Sequence, residues 1–194
     1  MTRGKPGAKP MVSAMGYLEF EVLPLDVDLM APGQPEILDY WNSLRGDAFA
    51  PRWQDFKLHR LPPDMLPMVV VVDVLEDGAG FVYRFWGTER AMLYGLEGTA
   101  KEVREVLPDY AGSIVVDQYR LTMEARAPLL FRNTYPLKPA EKSISITLRL
   151  PLSSDGQKID KLVASSVVLE NPETLANFIN PKKNAPPAVD EEVE

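Results

Sequence analysis

The chain has 194 residues, 45% of them hydrophobic and 25% charged, with 21 basic against 28 acidic side chains for a formal charge of -7. That balance excludes the basic surface that a phosphate backbone or an anionic lipid sheet requires, so neither nucleic acid nor a membrane is expected as a partner. Cysteine is absent, which fits a reducing, cytoplasmic setting and excludes thiol catalysis, thiolate metal sites and a covalent cysteinyl flavin adduct.

Residues 1–17 are rich in Gly, Pro and Lys, and no apolar secretory core follows Arg3, Lys5 and Lys9, so they are expected to form a disordered tail. One domain is expected over 18–180. Pro35 opens a helix over 35–45 in which Ile37, Tyr40, Trp41 and Leu44 form one apolar stripe, and Gly46 closes it. A connector bounded by Pro51 and Pro67 leads to Val69–Val72, whose β-branched residues suit a central strand. The apolar run Met65–Leu75 contains Pro67 and Asp73 and falls well short of the roughly 20 residues of a spanning helix.

After the turn Glu76-Asp77-Gly78-Ala79-Gly80 a second strand is expected, with Phe81, Tyr83 and Phe85 on one face and Val82, Arg84 and Trp86 on the other. Gly87 then permits a sharp backbone turn, Thr88 is placed to cap a short helix, and Gly95 is placed to end it. Thr99 and Glu102 have the spacing of a capping box before Val103, Val106 and Leu107. A longer helix near 111–126 carries Val115, Tyr119, Thr122 and Met123 on one stripe. Three strand patterns follow, Leu129–Tyr135, the alternating Ser143–Leu150 and Leu162–Leu169, with Ser153-Ser154-Asp155-Gly156 turning between the last two. Asn171, Pro172 and Glu173 read as cap, first-turn proline and acid of a terminal helix over 172–180. Residues 181–194 are expected to be a disordered acidic tail.

Two strands, a helical crossing and three more strands resemble a PAS domain: an α+β fold with a five-stranded antiparallel sheet and short helices over one face. Tyr40-Trp41, Leu44-Arg45-Gly46, Leu66-Pro67, Tyr83-Arg84 with Gly87-Thr88, and Leu150-Pro151-Leu152 with Asp155-Gly156 resemble the words of a family of small bacterial single-domain PAS proteins, in its order, over Glu36 to Glu170. One loop departs from that family, since Gly98-Thr99 stands where it tends to show Thr-Gly. The resemblance implies a free-standing sensory or regulatory module that binds a small molecule or docks a signalling protein, without an output domain or catalysis of its own.

Under that resemblance Tyr83, Phe85, Tyr94, Tyr119 and Phe131 point between sheet and helices, as plain core or as the wall of a small organic ligand site. Arg84 and Arg132 are expected on the opposite faces, in surface pairs. The stripe Ile37, Tyr40, Trp41 and Leu44 is a candidate homodimer interface, or else covers its own sheet. His59 is the only histidine and sits in the connector, so no haem attachment, metal site or Ser-His-Asp arrangement is expected. Noncovalent flavin stays open, and the identity of any cofactor is unknown. The alternatives are a ligand-free PAS scaffold for protein interaction and a small isomerase or dehydratase on an α+β cone; the latter needs a carboxylate facing the aromatics, and the strand patterns offer none.

Overall fold

A computed structural model describes residues 11–12, 19–107, 109–138 and 141–179. Seven strands form one antiparallel sheet: β1 (Met11–Val12), β2 (Glu19–Leu23), β3 (Val69–Leu75), β4 (Gly80–Trp86), β5 (Leu129–Lys138), β6 (Glu141–Leu152) and β7 (Lys161–Glu170), in the spatial order β1-β2-β5-β6-β7-β3-β4. The five expected strands make up its contiguous part, β5-β6-β7-β3-β4. Two expectations are corrected at the other edge. The sheet is longer than five strands, and Met11–Val12, placed in a disordered tail, pair with Glu19 and Phe20. Phe20 is buried against the Phe131 ring, whereas Glu19 and Glu21 face solvent, so charge at alternate positions hides a short strand from a reading of apolar runs. Residues 180 and 181–194 lie outside those described.

Helix α1 (Gln34–Arg45) covers the sheet's outer face. Gly33, at φ 83°, admits the chain in a conformation that side chains disfavour. Ile37 and Trp41 are buried among Val69, Val71, Leu148, Leu150 and Val163, and the Trp41 Nε1–H donates to the Pro151 carbonyl at 2.8 Å. The Tyr40 hydroxyl accepts from the Lys57 N–H at 2.9 Å, and Leu44 is half-buried. Ile37 and Trp41 of the stripe therefore cover their own sheet, while Tyr40 and Leu44 are half-buried at its side. Gln34 is fully buried, and its amide bridges the Ile146 and Ser165 carbonyls at 3.1 and 3.0 Å, tying the start of α1 to β6 and β7.

Helices α2 (Thr88–Tyr94), α3 (Val103–Val106) and α4 (Asp109–Ala125) roof the inner face. There Val70, Val72, Phe81, Tyr83, Trp86 and Leu162 meet Val103, Leu107, Val116 and Tyr119. The α3 cap is shifted from the expected one: Glu102 and Glu105 form the reciprocal box, while the Thr99 N–H and hydroxyl both donate to Glu97. Helix α5 (Pro172–Ile179) is entered through Asn171, whose side-chain amide donates to the Lys142 carbonyl at 2.7 Å. Among the described residues no helix is long and apolar enough to cross a membrane.

The break between β4 and α2 has a cause that differs from the expected one. Gly87 adopts φ -63° and ψ 151°, which any residue tolerates. A Cβ there would sit 2.1 Å from the Pro67 carbonyl oxygen and 2.9 Å from that of Val69. Backbone proximity, not a special dihedral, demands glycine, and the Gly87 N–H uses that proximity to donate to Val69 at 3.0 Å. Gly87→Ala is expected to lower stability by about 1–3 kcal/mol through overpacking, read as a fall in the urea midpoint; an unchanged midpoint would mean that the two segments separate freely.

Candidate functional site

Strand β6 alternates apolar and polar side chains, and both sets are buried. Ile146, Leu148 and Leu150 face α1, while Ser145, Thr147 and Arg149 face the inner helices. The polar set joins a network across three strands and two helices. Arg149 Nε and Nη2 donate to Gln118 Oε1 at 3.0 and 2.8 Å, and Gln118 Nε2 donates to Asn133 Oδ1 at 2.5 Å. Asn133 Nδ2 donates to Thr147 at 3.0 Å and Ser145 at 3.2 Å. The Thr147 and Ser166 hydroxyls share a bond of 2.8 Å, and Arg90 Nη2 donates to Ser166 at 2.8 Å.

Arg149 is 4% exposed, and among the described residues no carboxylate pairs with it. Its guanidinium lies 4.1 Å from the Tyr119 ring centre, so an aromatic face and one amide oxygen replace a counter-ion. Arg90 is the second cation, 5.8 Å from the Tyr94 ring centre. Val70, Tyr83, Trp86, Arg90, Tyr94 and Arg149 surround a cavity of about 20 Å³. The Trp86 indole N–H beside it is buried and finds no acceptor among the described residues. Packing holds that ring in place: a Cβ on Gly98 would meet it at 2.7 Å, and Tyr83 and Tyr94 flank it edge-on at 4.6 and 5.4 Å.

Of the expected ligand residues, Tyr83, Tyr94 and Tyr119 line this cavity. Phe131 lies on the same face but packs with Phe20 and Ile114, 5.9 Å from the Arg149 guanidinium. Phe85 is corrected: the pairing of β3 with β4 shifts so that Val71 opposes Phe85 and Val72 opposes Tyr83, leaving Arg84 as the extra residue of a bulge. Strict alternation ends there, so Phe85 joins the outer cluster with α1 while Trp86 turns inward. Arg84 and Arg132 pair on the outer side with Asp73 and Glu21 at 2.7 and 2.6 Å. His59 is exposed in a short turn at Leu58–Arg60. Among the described residues no three His, Cys, Asp or Glu side chains gather as a metal site would require. Trp86, Arg90, Gln118 and Arg149 were not expected; the signal for Arg149 is an arginine on the polar face of a strand flanked by strands on both sides.

Burial pushes the Tyr83 phenol well above its ordinary value, with Tyr119 and Tyr94 adding to the shift. Tyr135 is pushed up to about 12, mainly by desolvation. Both phenols hold their protons more tightly folded than unfolded, so their contribution is complete below about pH 10 and is lost as pH rises toward the folded values. Stability is expected to fall above about pH 10, with some tyrosinate absorbance appearing only as the protein unfolds. If all the tyrosines ionise while near-ultraviolet dichroism persists, the interior phenols are not desolvated.

No family model and no curated protein matches the sequence. Two solved structures share features of the fold. One is an RNA-binding light-oxygen-voltage receptor, at 9% identity and a TM-score of 0.42 over 91% of this chain and 44% of that one. The other is a light-oxygen-voltage domain studied with a flavin analogue, at 12% identity and a TM-score of 0.34 over 60% of this chain and 87% of that one. This chain thus spans less than half of the receptor's length. The strand order β5-β6-β7-β3-β4, with short helices roofing one face between the second and third of those strands in sequence, makes the fold an α+β fold of the PAS kind.

Proposed function

We propose that the chain is a sensory or regulatory PAS-type module that takes a small organic ligand between its sheet and α2 to α4, and that it has no catalytic step of its own. One observation carries this reading: the buried Arg149 guanidinium without a carboxylate, set beside the undonated Trp86 N–H. An orphaned buried donor costs about 1–3 kcal/mol, and a buried charge held by an amide oxygen and a ring still carries its desolvation cost; a ligand with acceptor atoms would relieve both. Tyr83, Tyr94 and Tyr119 supply aromatic walls and hydroxyls, the usual lining of such sites.

At about 20 Å³ the cavity admits roughly one water, so a ligand enters only if α2 moves. Arg90 is the tie to be released, since its Nε and Nη2 hold α2 to the Met68 carbonyl at 3.4 Å and to Ser166 at 2.8 Å. The same small volume favours a second reading, a ligand-free scaffold that docks a signalling protein. The order of motifs over Glu36 to Glu170 supports placement among the small single-domain PAS proteins, and the acidic, cysteine-free composition supports the cytoplasm. Native mass spectrometry with ultraviolet-visible spectroscopy on the purified protein decides between the readings. A bound organic mass is expected. A clean apo mass, together with no thermal shift across a library of small acids and aromatics, would leave the scaffold.

A further inference from the structure

Strand β7 is longer than the neighbour that lies on its β3 side. Pairing between them runs from Lys161 to Ser165, opposite Asp73 to Val69, and stops there because the chain enters the turn Leu66–Met68 around Pro67. Proline has no N–H to continue a ladder. The Val74 N–H donates to the Asp160 carbonyl, so the even-numbered residues of β7 turn their backbone groups toward β3. Past Ala164 these are Ser166 and Val168, which still oppose Thr147 and Ser145 on the β6 side. On their other side no strand follows, and among the described residues no backbone hydrogen bond reaches them there.

That open edge is the floor of a groove of about 700 Å³. Its walls are apolar and adaptable, with Met65 and Met68 on one side and Met92 and Leu93 of α2 on the other. Met92 is 60% exposed, one of the few large apolar side chains left in solvent. Three carboxylates, Glu36, Asp64 and Glu89, line the same groove with no Lys, Arg or His among the lining residues, and none of the three forms an ion pair among the described residues.

We propose that this groove binds an extended segment of a partner protein as an added strand, antiparallel to β7 on the line β3 would have followed, with apolar side chains at alternate positions and basic residues between or beside them. Main-chain bonds to Ser166 and Val168 supply register, the methionine walls take the apolar side chains, and the three acids select positive charge. The three acids and Val168 lie outside the Arg149 cavity, whereas Ser166 links the two places, since its hydroxyl accepts from Arg90, which lines that cavity.

The probe is a fluorescent, end-capped peptide of alternating valine and lysine, followed by anisotropy against the whole chain. Binding is expected, with fast amide exchange at Val168 in the free protein and protection there when bound; Ser166 is already buried beneath Arg90. Methylating alternate peptide nitrogens is expected to weaken binding about tenfold or more, the loss of one or two backbone bonds. Val168→Pro, which removes a donor facing the open edge, and the triple change Glu36→Gln, Asp64→Asn, Glu89→Gln are each expected to do the same. Protection at Val168 already in the free protein, equal binding of the methylated peptide, or no binding at all would overturn the proposal. So would a dimer in sedimentation that Val168→Pro dissolves, since a second copy would then fill the edge.

Discussion

Replacing Trp41 by alanine is expected to lower the unfolding free energy by about 3–5 kcal/mol, the usual consequence of emptying a large aromatic site in a core. Trp41 is 2% exposed and among the largest side chains of the outer cluster, and with Gln34 it joins α1 to the sheet. Its ring lies between α1 and strands β3, β6 and β7, and its N–H holds the Pro151 carbonyl at 2.8 Å, where β6 runs into the turn to β7. The Pro151 carbonyl lies beyond the last pair of β5 with β6, Leu129 with Arg149, and the indole supplies it with a donor. Trp41→Phe keeps most of the volume and drops the bond, for an expected loss nearer 1–2 kcal/mol from the bond with a little cavity added. Urea denaturation followed by circular dichroism separates the two. A loss below about 1 kcal/mol for the alanine variant would mean that α1 is a loosely docked element; a change in mass by light scattering with stability intact would restore the stripe as a subunit interface.

The sheet was legible where physical pattern and local chemistry agree. Val69–Val72 cannot easily be helix, Gly95 is at φ 68° where it ends α2, and the turn at Ser153 to Gly156 is set by Asp155, which accepts from the Gln157 and Lys158 N–H groups. The site was only half legible, for two physical reasons. Alternation along Ser143–Leu150 identifies a strand but not which face meets water. Here neither does, because α1 covers one side and α2 to α4 the other, so serine, threonine and arginine are interior residues. The bulge at Arg84 then changes the inward set of β4 after Tyr83, replacing Phe85 by Trp86. Nothing in Tyr-Arg-Phe-Trp announces that extra residue, since it arises from how β3 and β4 pair. Gly87 shows the converse: the residue was marked as a turn, whereas the neighbour that makes glycine necessary, Pro67, lies twenty residues earlier in the chain.

Arg149 decides between a binding interior and a structural one, because the two make opposite predictions for Arg149→Met. If the guanidinium serves only packing, its bonds to Gln118 and its stacking on Tyr119 must outweigh the desolvation of a buried charge. Methionine would then lower stability by roughly 1–3 kcal/mol, with one amide oxygen left unpaired. If the guanidinium is retained for a ligand, the free protein carries it as a liability, and methionine, apolar and of similar length, is expected to hold the stability within about 1 kcal/mol of the parent or to raise it. Binding would fall by about 10- to 100-fold, the loss of one charge-assisted bond. Arg149→Ala leaves a void as well and is expected to destabilise by about 2–5 kcal/mol in either case, so the comparison of the two variants separates volume from charge. A methionine variant that is less stable while keeping any bound organic mass would remove Arg149 from the site and leave the Trp86 N–H to carry the binding reading.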